Sequence, residues 1–407
     1  MLECLVAAWC LLAAFLQGVL ALNIFHLAFV TVGAWLSRRF PRPGYPVPDG
    51  AWPRLAVLVA AHDEAAVIGA CLSRLREQEY PAERVATWVV ADRCADATAG
   101  LARAAGATVF EREDGTPSKG AALAWLWERL GEAREGFDAV VVLDADNEVA
   151  PDFLAEMGRA LASGAKVVQG QRIAKNPQHS AASALDGLAE ALHHRVVAAG
   201  LSWWGFSTSL SGSGVAYERR VFERLIASTT TQVEDCEYQL RLLGWGVAIR
   251  SAPGATVFDE KIHDFEAMAR QRSRWIQGKL RLFARHLPGL VWGAMNGRRE
   301  AFEGLGFVAT SLPRSVLVVL LGLGLLAGAV GVPGVLPWPW WLGGMGLFGL
   351  HVASGLVIAG VNPAEWKSLM ASPRFIRVLW GACWQAMGRR RIPWVRTPHG
   401  STDEPPA

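Results

Sequence analysis

The sequence lacks the marks of a zinc protein, a disulfide scaffold or a nucleic-acid binder. Its six cysteines, Cys4, Cys10, Cys71, Cys94, Cys236 and Cys383, include no Cys-x-x-Cys pair. Neither zinc nor a disulfide framework is implied, and a reduced, cytosol-facing domain is expected. A net charge of only +3 over 407 residues is too small to draw nucleic acid. No internal repeat or low-complexity tract occurs before the polar, proline-ended tail after Pro398. Charge is absent altogether from Leu5 to Leu36.

That uncharged stretch is longer than needed to cross a hydrocarbon core of about 30 Å, so a tilt or an interfacial end is expected. A cleaved signal would start with basic residues and have a shorter apolar centre. Here the start carries Glu3, and Arg38-Arg39-Phe40-Pro41-Arg42 follows the span. Residues 1–37 therefore read as a transmembrane helix with its N-terminus outside and the basic cluster in the cytoplasm. Two more spans are expected within residues 305–361, over Leu305–Val330 and Val335–Val361. Pro333, Pro337 and Pro339 mark the turn between them, and Trp338, Trp340 and Trp341 suit an interface. Arg314 interrupts the second span, either as a cation near its cytoplasmic end or as a contact to a lipid phosphate or acceptor. Arg374, Arg377, Arg389, Arg390, Arg391 and Arg396 follow, so residues 372–407 read as an interfacial helix and a basic cytoplasmic tail.

Between the spans, residues 53–301 alternate strand and helix. Leu55–Ala61, Trp88–Ala91, Ala107–Phe110, Ala139–Leu143 and Lys166–Gln169 are strand runs. Helices are expected over Val67–Leu75, where Val67, Ile68, Cys71, Leu72 and Leu75 share a face, over Asp96–Ala105 and over Gly120–Leu130. This βαβ alternation predicts an α/β domain: a mostly parallel sheet, helices on both faces and ligands at the strand carboxyl ends. Asp63, Asp92 and Asp144 stand at or just after three such ends, with Asp146 beside the last. Four acids on one edge repel one another, which favours a cation or a nucleotide among them. Asp144 and Asp146 offer hard oxygen ligands suited to Mg²⁺ or Mn²⁺ against a diphosphate. An Asp at such a place also caps helices, and Asp96, which precedes a helix, fits that role equally well.

Two further elements carry chemistry. Val233-Glu234-Asp235 opens a helix ended by Gly244, and an acid there either accepts a proton from an attacking sugar hydroxyl or complements the helix dipole. In Gln271-Arg272-Ser273-Arg274-Trp275, the residues Gln271, Arg274 and Trp275 share a helix face. A rigid guanidinium fork suits a diphosphate, and an indole offers a flat platform for a pyranose. Interfacial helices near residues 270–296 are the structural alternative.

In order and spacing, Ala61-His62-Asp63-Glu64, Asp92 with Asp96-Ala97-Thr98, Lys119-Gly120, Asp144-Ala145-Asp146, Glu234-Asp235 and Gln271-x-x-Arg274-Trp275 resemble the membrane-embedded family 2 glycosyltransferases. That family includes the synthases of cellulose, chitin, hyaluronan and poly-N-acetylglucosamine, and lipid glucosyltransferases acting on ceramide or hopanoids. The resemblance covers about Pro53 to Trp275 and the flanking spans. It implies a GT-A fold, a nucleotide-diphosphate sugar donor, most often UDP-linked, a divalent cation, and inversion at the anomeric carbon. By position, Asp63 would line the nucleotide pocket and Asp92 would contact uracil or ribose. Asp144 and Asp146 would hold donor and metal, and Lys119 and Arg274 would face the diphosphate. Asp235 would be the general base beside Glu234, while Trp275 and Gln271 would meet the acceptor. Gly212-Ser213-Gly214 reads as a tight turn near the acceptor pocket, or as an ordinary loop.

Two departures stand out: Val233 replaces the usual Thr before Glu-Asp, and Arg93-Cys94 replaces the usual Gly-Ser after the second acid. The expected activity is transfer of a sugar to a lipid-linked or glycan acceptor at a bacterial inner (plasma) membrane, forming a β-glycoside. A processive polysaccharide synthase, helped by self-association or a membrane partner subunit, and an inactive membrane scaffold are the alternatives.

Overall fold

The apolar runs become strands of one eight-stranded sheet in a computed structural model describing residues 2–47, 52–227, 231, 233–361 and 363–388. The strands are β1 (Leu55–Ala61), β2 (Val85–Asp92), β3 (Thr108–Arg112), β4 (Ala139–Asp144), β5 (Glu148–Val149), β6 (Val167–Ala174), β7 (Val215–Glu218) and β8 (Ile249–Asp259). Their order is β3-β2-β1-β4-β7-β6-β8-β5. Strands β1 to β4 pair in parallel, as do β6 and β8, whereas β7 runs against β4 and β6 and β5 runs against β8. The sheet is thus mixed. The reversal at β7 matters for function, because it brings the Gly212–Gly214 turn to the end of β4, with the Gly214 amide donating to the Val142 carbonyl at 3.0 Å.

Successive residues of a strand face opposite sides, and both sides are apolar. Leu55, Val57 and Val59 pack with Ile68, Phe153 and Met157, while Ala56, Leu58 and Val142 pack with Leu126, Trp127 and Phe222. The helices that cover them are α2 (Ile68–Arg76), α3 (Thr98–Ala104), α4 (Lys119–Arg129), α5 (Phe153–Ala162) and α8 (Arg219–Ile226). Each such side chain, fully buried, contributes about 1.5–3 kcal/mol.

The membrane-type helices differ from expectation in one place. Helix α1 (Leu2–Arg39) and helix α13 (Trp338–Ala359) are each long and apolar enough to cross a membrane. The expected span over Leu305–Val330 is instead two helices, α11 (Arg299–Ala309) and α12 (Arg314–Ala329), bent by 61° at the break. Pro313 explains the break, since it supplies no amide hydrogen and turns the residue before it away from helical geometry. The tryptophan belt also divides. Trp338 and Trp340 are 49% and 70% exposed, but Trp341 is 7% exposed and packs with Leu317 and Leu321 of α12.

The remaining helices tie the sheet to α1. They are α6 (Ala181–Leu192), a π-helical turn (His193–Ala198), α7 (Ala199–Trp203), α9 (Glu234–Trp245), α10 (Phe265–Met295), α14 (Pro363–Ser368) and α15 (Ser372–Ala386). A Cβ on Gly200 would stand 2.1 Å from the Val30 carbonyl oxygen, so only glycine lets α7 approach α1 this closely. Trp204 stacks on Phe29 with ring centroids 4.9 Å apart, and the Arg42 guanidinium lies 5.0 Å over Trp203. Helix α10 occupies the stretch read as interfacial, and Ser273 on it donates to Gln385 of α15 at 3.1 Å. The basic tail residues Arg389, Arg390, Arg391 and Arg396 lie outside the described residues.

Candidate active site

The end of β4 is held by a small polar hub. Ser213 Oγ accepts from the Asp144 amide at 2.9 Å and donates to Asn147 Oδ1. Asn147 Nδ2 donates to Asp146 Oδ1 and to Asp259 Oδ1, each at 3.1 Å. Ser213 and Asn147 are both 0% exposed. Ser213 therefore positions the Asp144–Asp146 loop. Gly212 does face the site: its φ of 78° lies in the left-handed region, and a Cβ there would touch Asp235 at 3.7 Å.

Lys119, the first residue of α4, sits between these pieces. Its Nζ donates to Asp144 Oδ1 at 2.5 Å and to the Gly212 carbonyl at 2.6 Å, which leaves one of its three N–H bonds for a ligand oxygen. Burial alone would lower its pKa, but Asp144 and Glu234 raise it, so it stays charged. Glu234 and Asp235 open α9, whose N-cap, Val233, makes no side-chain cap bond. The missing threonine hydroxyl is thus a real loss, and Val233 packs instead beside Gly278 of α10. Desolvation raises the Glu234 carboxyl to about 7; Lys119 opposes this, while Asp235 and Asp144 reinforce it. From α10, Arg274 has a buried Nε with no partner among the described residues. Burial lowers its pKa and Glu234 offsets that. Trp275 has the Arg272 guanidinium 4.6 Å from its ring centre, and Arg272 in turn pairs with Asp186.

All of these groups line one cavity of about 1540 Å³. Asp144, Asp146, Lys119, Glu234 and Asp235 meet there with Gln271, Arg274 and Trp275. The same cavity continues between α1, α11, α12 and α13, where His26, Phe302, Arg314 and Phe348 form its wall.

Asp63 and Asp92 do not line that cavity. Asp63, at φ 56°, turns its Oδ1 to the Ala95 amide at 2.6 Å and so braces the loop after β2. Asp92 is buried and doubly paired, with Arg93 Nη2 at 2.7 Å and Arg112 Nη1 at 2.9 Å. Both of its carboxylate oxygens accept from these guanidiniums. Asp96 accepts from the Thr98 amide at 2.9 Å, but the N-cap of α3 is Ala97, so Asp96 stands one residue ahead of the capping position weighed for it above. Asp63, Cys94 and Asp96 come within metal-ligating distance of one another, but their hydrogen bonds to loop amides account for the cluster.

Behind the hub lies a charge network that the motifs did not indicate. Arg172 Nη2 meets Asp259 Oδ2 at 2.5 Å, Lys261 pairs with the same oxygen, and Lys261 Nζ reaches Glu190 at 2.6 Å. Burial opposes ionisation of Asp259, yet Arg172 and Lys261 hold its carboxyl well below the ordinary value. His194, 3.3 Å from Ser211 Oγ, is pushed down to about 3 by burial and by the nearby Arg172 and Lys261, so its imidazole is neutral. Asn147, directly after the aspartate pair, was the one sequence signal for this network. The other members lie on separate elements and share no motif.

The family described as "Glycosyltransferase like family 2" matches residues 53–278. The probable glycosyltransferase YdaM of Bacillus subtilis is 25% identical over 237 residues, 56% of this chain and 55% of that protein. This chain thus spans only about half of that relative's length. The beta-monoglucosyldiacylglycerol synthase of Synechocystis is 24% identical over 386 residues, 87% of this chain and 76% of that protein. In structure, the mannosyltransferase PcManGT of Pyrobaculum calidifontis, solved with GDP-Man and Mn²⁺, aligns with a TM-score of 0.56 at 19% identity. The alignment covers 91% of this chain and 97% of that one, so the two share the GT-A fold. With the family matched over more than half of its residues, the chain belongs to the family 2 glycosyltransferases, which transfer a sugar from a nucleotide-sugar donor.

Proposed function

We propose that this glycosyltransferase moves a sugar from a nucleoside-diphosphate donor to the hydroxyl of a lipid at the membrane, with inversion. The observation that carries the reading is the single cavity: it holds both the acidic site and Arg274 at one end and runs between the membrane-type helices at the other. The lipid product of the Synechocystis relative supports it.

In this reading Asp235 accepts the proton of the acceptor hydroxyl as its oxygen attacks the anomeric carbon. The bond to the diphosphate breaks on the opposite face, so an α-linked donor gives a β-glycoside. Lys119 and Arg274 take the charge that develops on the leaving diphosphate. Trp275 offers its open face to the acceptor and Gln271 its amide. The carboxylates of Asp144 and Asp146, hard oxygen donors facing the cavity beside the cationic pair, fit Mg²⁺ or Mn²⁺. A cation held there would supply further charge neutralisation for the diphosphate. The basic residues after α1 and around α15 support a cytoplasmic catalytic domain and an outside N-terminus.

The test is a screen of UDP- and GDP-sugars with the purified chain in lipid vesicles, following nucleoside diphosphate release and label in extracted lipid. One donor should give cation-dependent release that chelation abolishes, and Asp235→Asn should lower turnover by about 10²–10⁴-fold. Release indifferent to both chelation and Asp235→Asn, or label running as long polymer, contradicts the proposal.

A further inference from the structure

The far end of the cavity is a second polar site, built where the expected span breaks. Pro313 caps α12 with no side-chain acceptor, and the helix begins at Arg314 and Ser315. The amides of Val316 and Leu317 donate to the Pro313 carbonyl, whereas those of Arg314 and Ser315 lead the helix. Ser315 is 4% exposed, lines the cavity, and its Oγ has no partner among the described residues. The Arg314 side chain lines the same wall and forms no ion pair or side-chain hydrogen bond with a described residue.

A guanidinium without a counter-ion is costly among apolar helices, and such a group persists where it meets an anion. A helix N-terminus adds partial positive charge and unsatisfied amide donors. The unpartnered Ser315 hydroxyl is a third donor beside them. The donor diphosphate is not that anion, because Lys119 and Arg274 serve it at the other end. Leu317, Val318, Phe348 and Val352 wall the cavity around Arg314, so the anion arrives attached to something apolar.

We propose that the acceptor is a lipid in which a phosphate links the apolar chain to a hydroxyl-bearing headgroup. Arg314, Ser315 and the start of α12 bind the phosphate, and the headgroup hydroxyl reaches Asp235. This rests on the lipid-acceptor reading above and narrows it. The phosphate is bound and not consumed. The headgroup oxygen bonds to the anomeric carbon, its proton goes to Asp235, and the nucleoside diphosphate leaves with the electron pair of the broken bond.

The full chain is assayed in phosphatidylcholine vesicles containing phosphatidylglycerol, a polyprenyl diphospho-sugar or diacylglycerol, with the productive donor. Donor hydrolysis without added acceptor is measured in parallel. At least one phosphate-linked acceptor should exceed diacylglycerol by about tenfold or more in kcat/KM, and the arm that responds identifies the lipid class. Arg314→Gln should collapse that preference at least tenfold, mainly through the KM for the acceptor. Ser315→Ala should weaken it less, and Arg314→Lys should restore part of it, separating a lost charge from a lost fold. Equal use of diacylglycerol, a preference that survives Arg314→Gln, or hydrolysis with no transfer to either phosphate-linked lipid overturns the proposal. A wild type that neither hydrolyses any donor nor transfers sugar to any of the three lipids removes the transferase reading itself, a different failure with a different signature.

Discussion

Glu234 should make the protein lose stability as the pH rises, and Glu234→Gln should remove that loss. The group sits where four elements converge: Lys119 on α4, Asp144 on β4, Asp235 beside it on α9, and Arg274 on α10. Desolvation, partly opposed by Lys119, lifts its carboxyl from 4.5 to about 7. A raised acid binds its proton more tightly in the folded chain than in the unfolded one. Stability is therefore full below the unfolded value and falls as the pH rises through the window between 4.5 and 7. At about 1.4 kcal/mol per pH unit the ceiling is about 3 kcal/mol. Glu234 is only partly buried, and water screening reduces this to about 1–2 kcal/mol.

Glutamine keeps the shape and never ionises. Thermal unfolding of wild type and Glu234→Gln, in the same detergent with chelator and without donor, should give similar midpoints near pH 4.5. Above pH 7 the variant should melt about 2–6 °C higher, with a constant difference beyond that. Two parallel curves would mean that Lys119 and Arg274 keep Glu234 charged throughout, and the argument would be lost.

Three other substitutions follow from the geometry. Asn147→Ala removes the bridge between Asp146 and Asp259 and should cost about 2–3 kcal/mol, with a higher KM for the donor by steady-state kinetics. Arg274→Ala should lower kcat/KM for the donor by about 10²-fold, and Arg274→Lys should recover only part, because the planar fork is lost. Arg112→Met leaves Asp92 buried with Arg93 alone and should destabilise by about 3–5 kcal/mol, whereas adding Asp92→Asn should recover most of it in thermal unfolding.

The parts legible in the sequence are those where a local pattern has one physical solution. The run from Ala139 to Leu143 is apolar and β-branched, so it forms a strand buried on both faces. The Gln271–Trp275 face is legible because helical spacing puts its three residues on one side. The break at Pro313 was legible too, since proline in an apolar run interrupts a helix, but the hydropathy of Leu305–Val330 masked it. What could not be read is pairing between distant elements. Nothing near Arg172 announces Asp259, Lys261 and Glu190, and nothing near Asp92 announces that Arg112 comes in from β3.

Asp92 and Asp63 show why the acidic edge was read too simply. Four carboxylates on one edge favour a cation or a nucleotide among them, but two find partners within the chain: Asp92 pairs with guanidiniums and Asp63 accepts from a loop amide. Both solutions require strained backbone, since Asp63 and Arg93 are the non-glycine residues with φ near +50° among those described. Each such conformation costs about 1–3 kcal/mol. Where relatives use glycine after the second acid, this chain keeps Arg93, and the Arg93 amide bonds the Arg112 carbonyl at 2.6 Å while its side chain covers Asp92. That pair of contacts offsets the strain and fixes the loop. Of these four acids, Asp144 and Asp146 line the cavity, where Lys119 and Arg274 also stand, so positive and negative groups meet at one place. The two acids away from the cavity are committed to bonds within the chain, whereas the two that line it stand where a ligand can reach them.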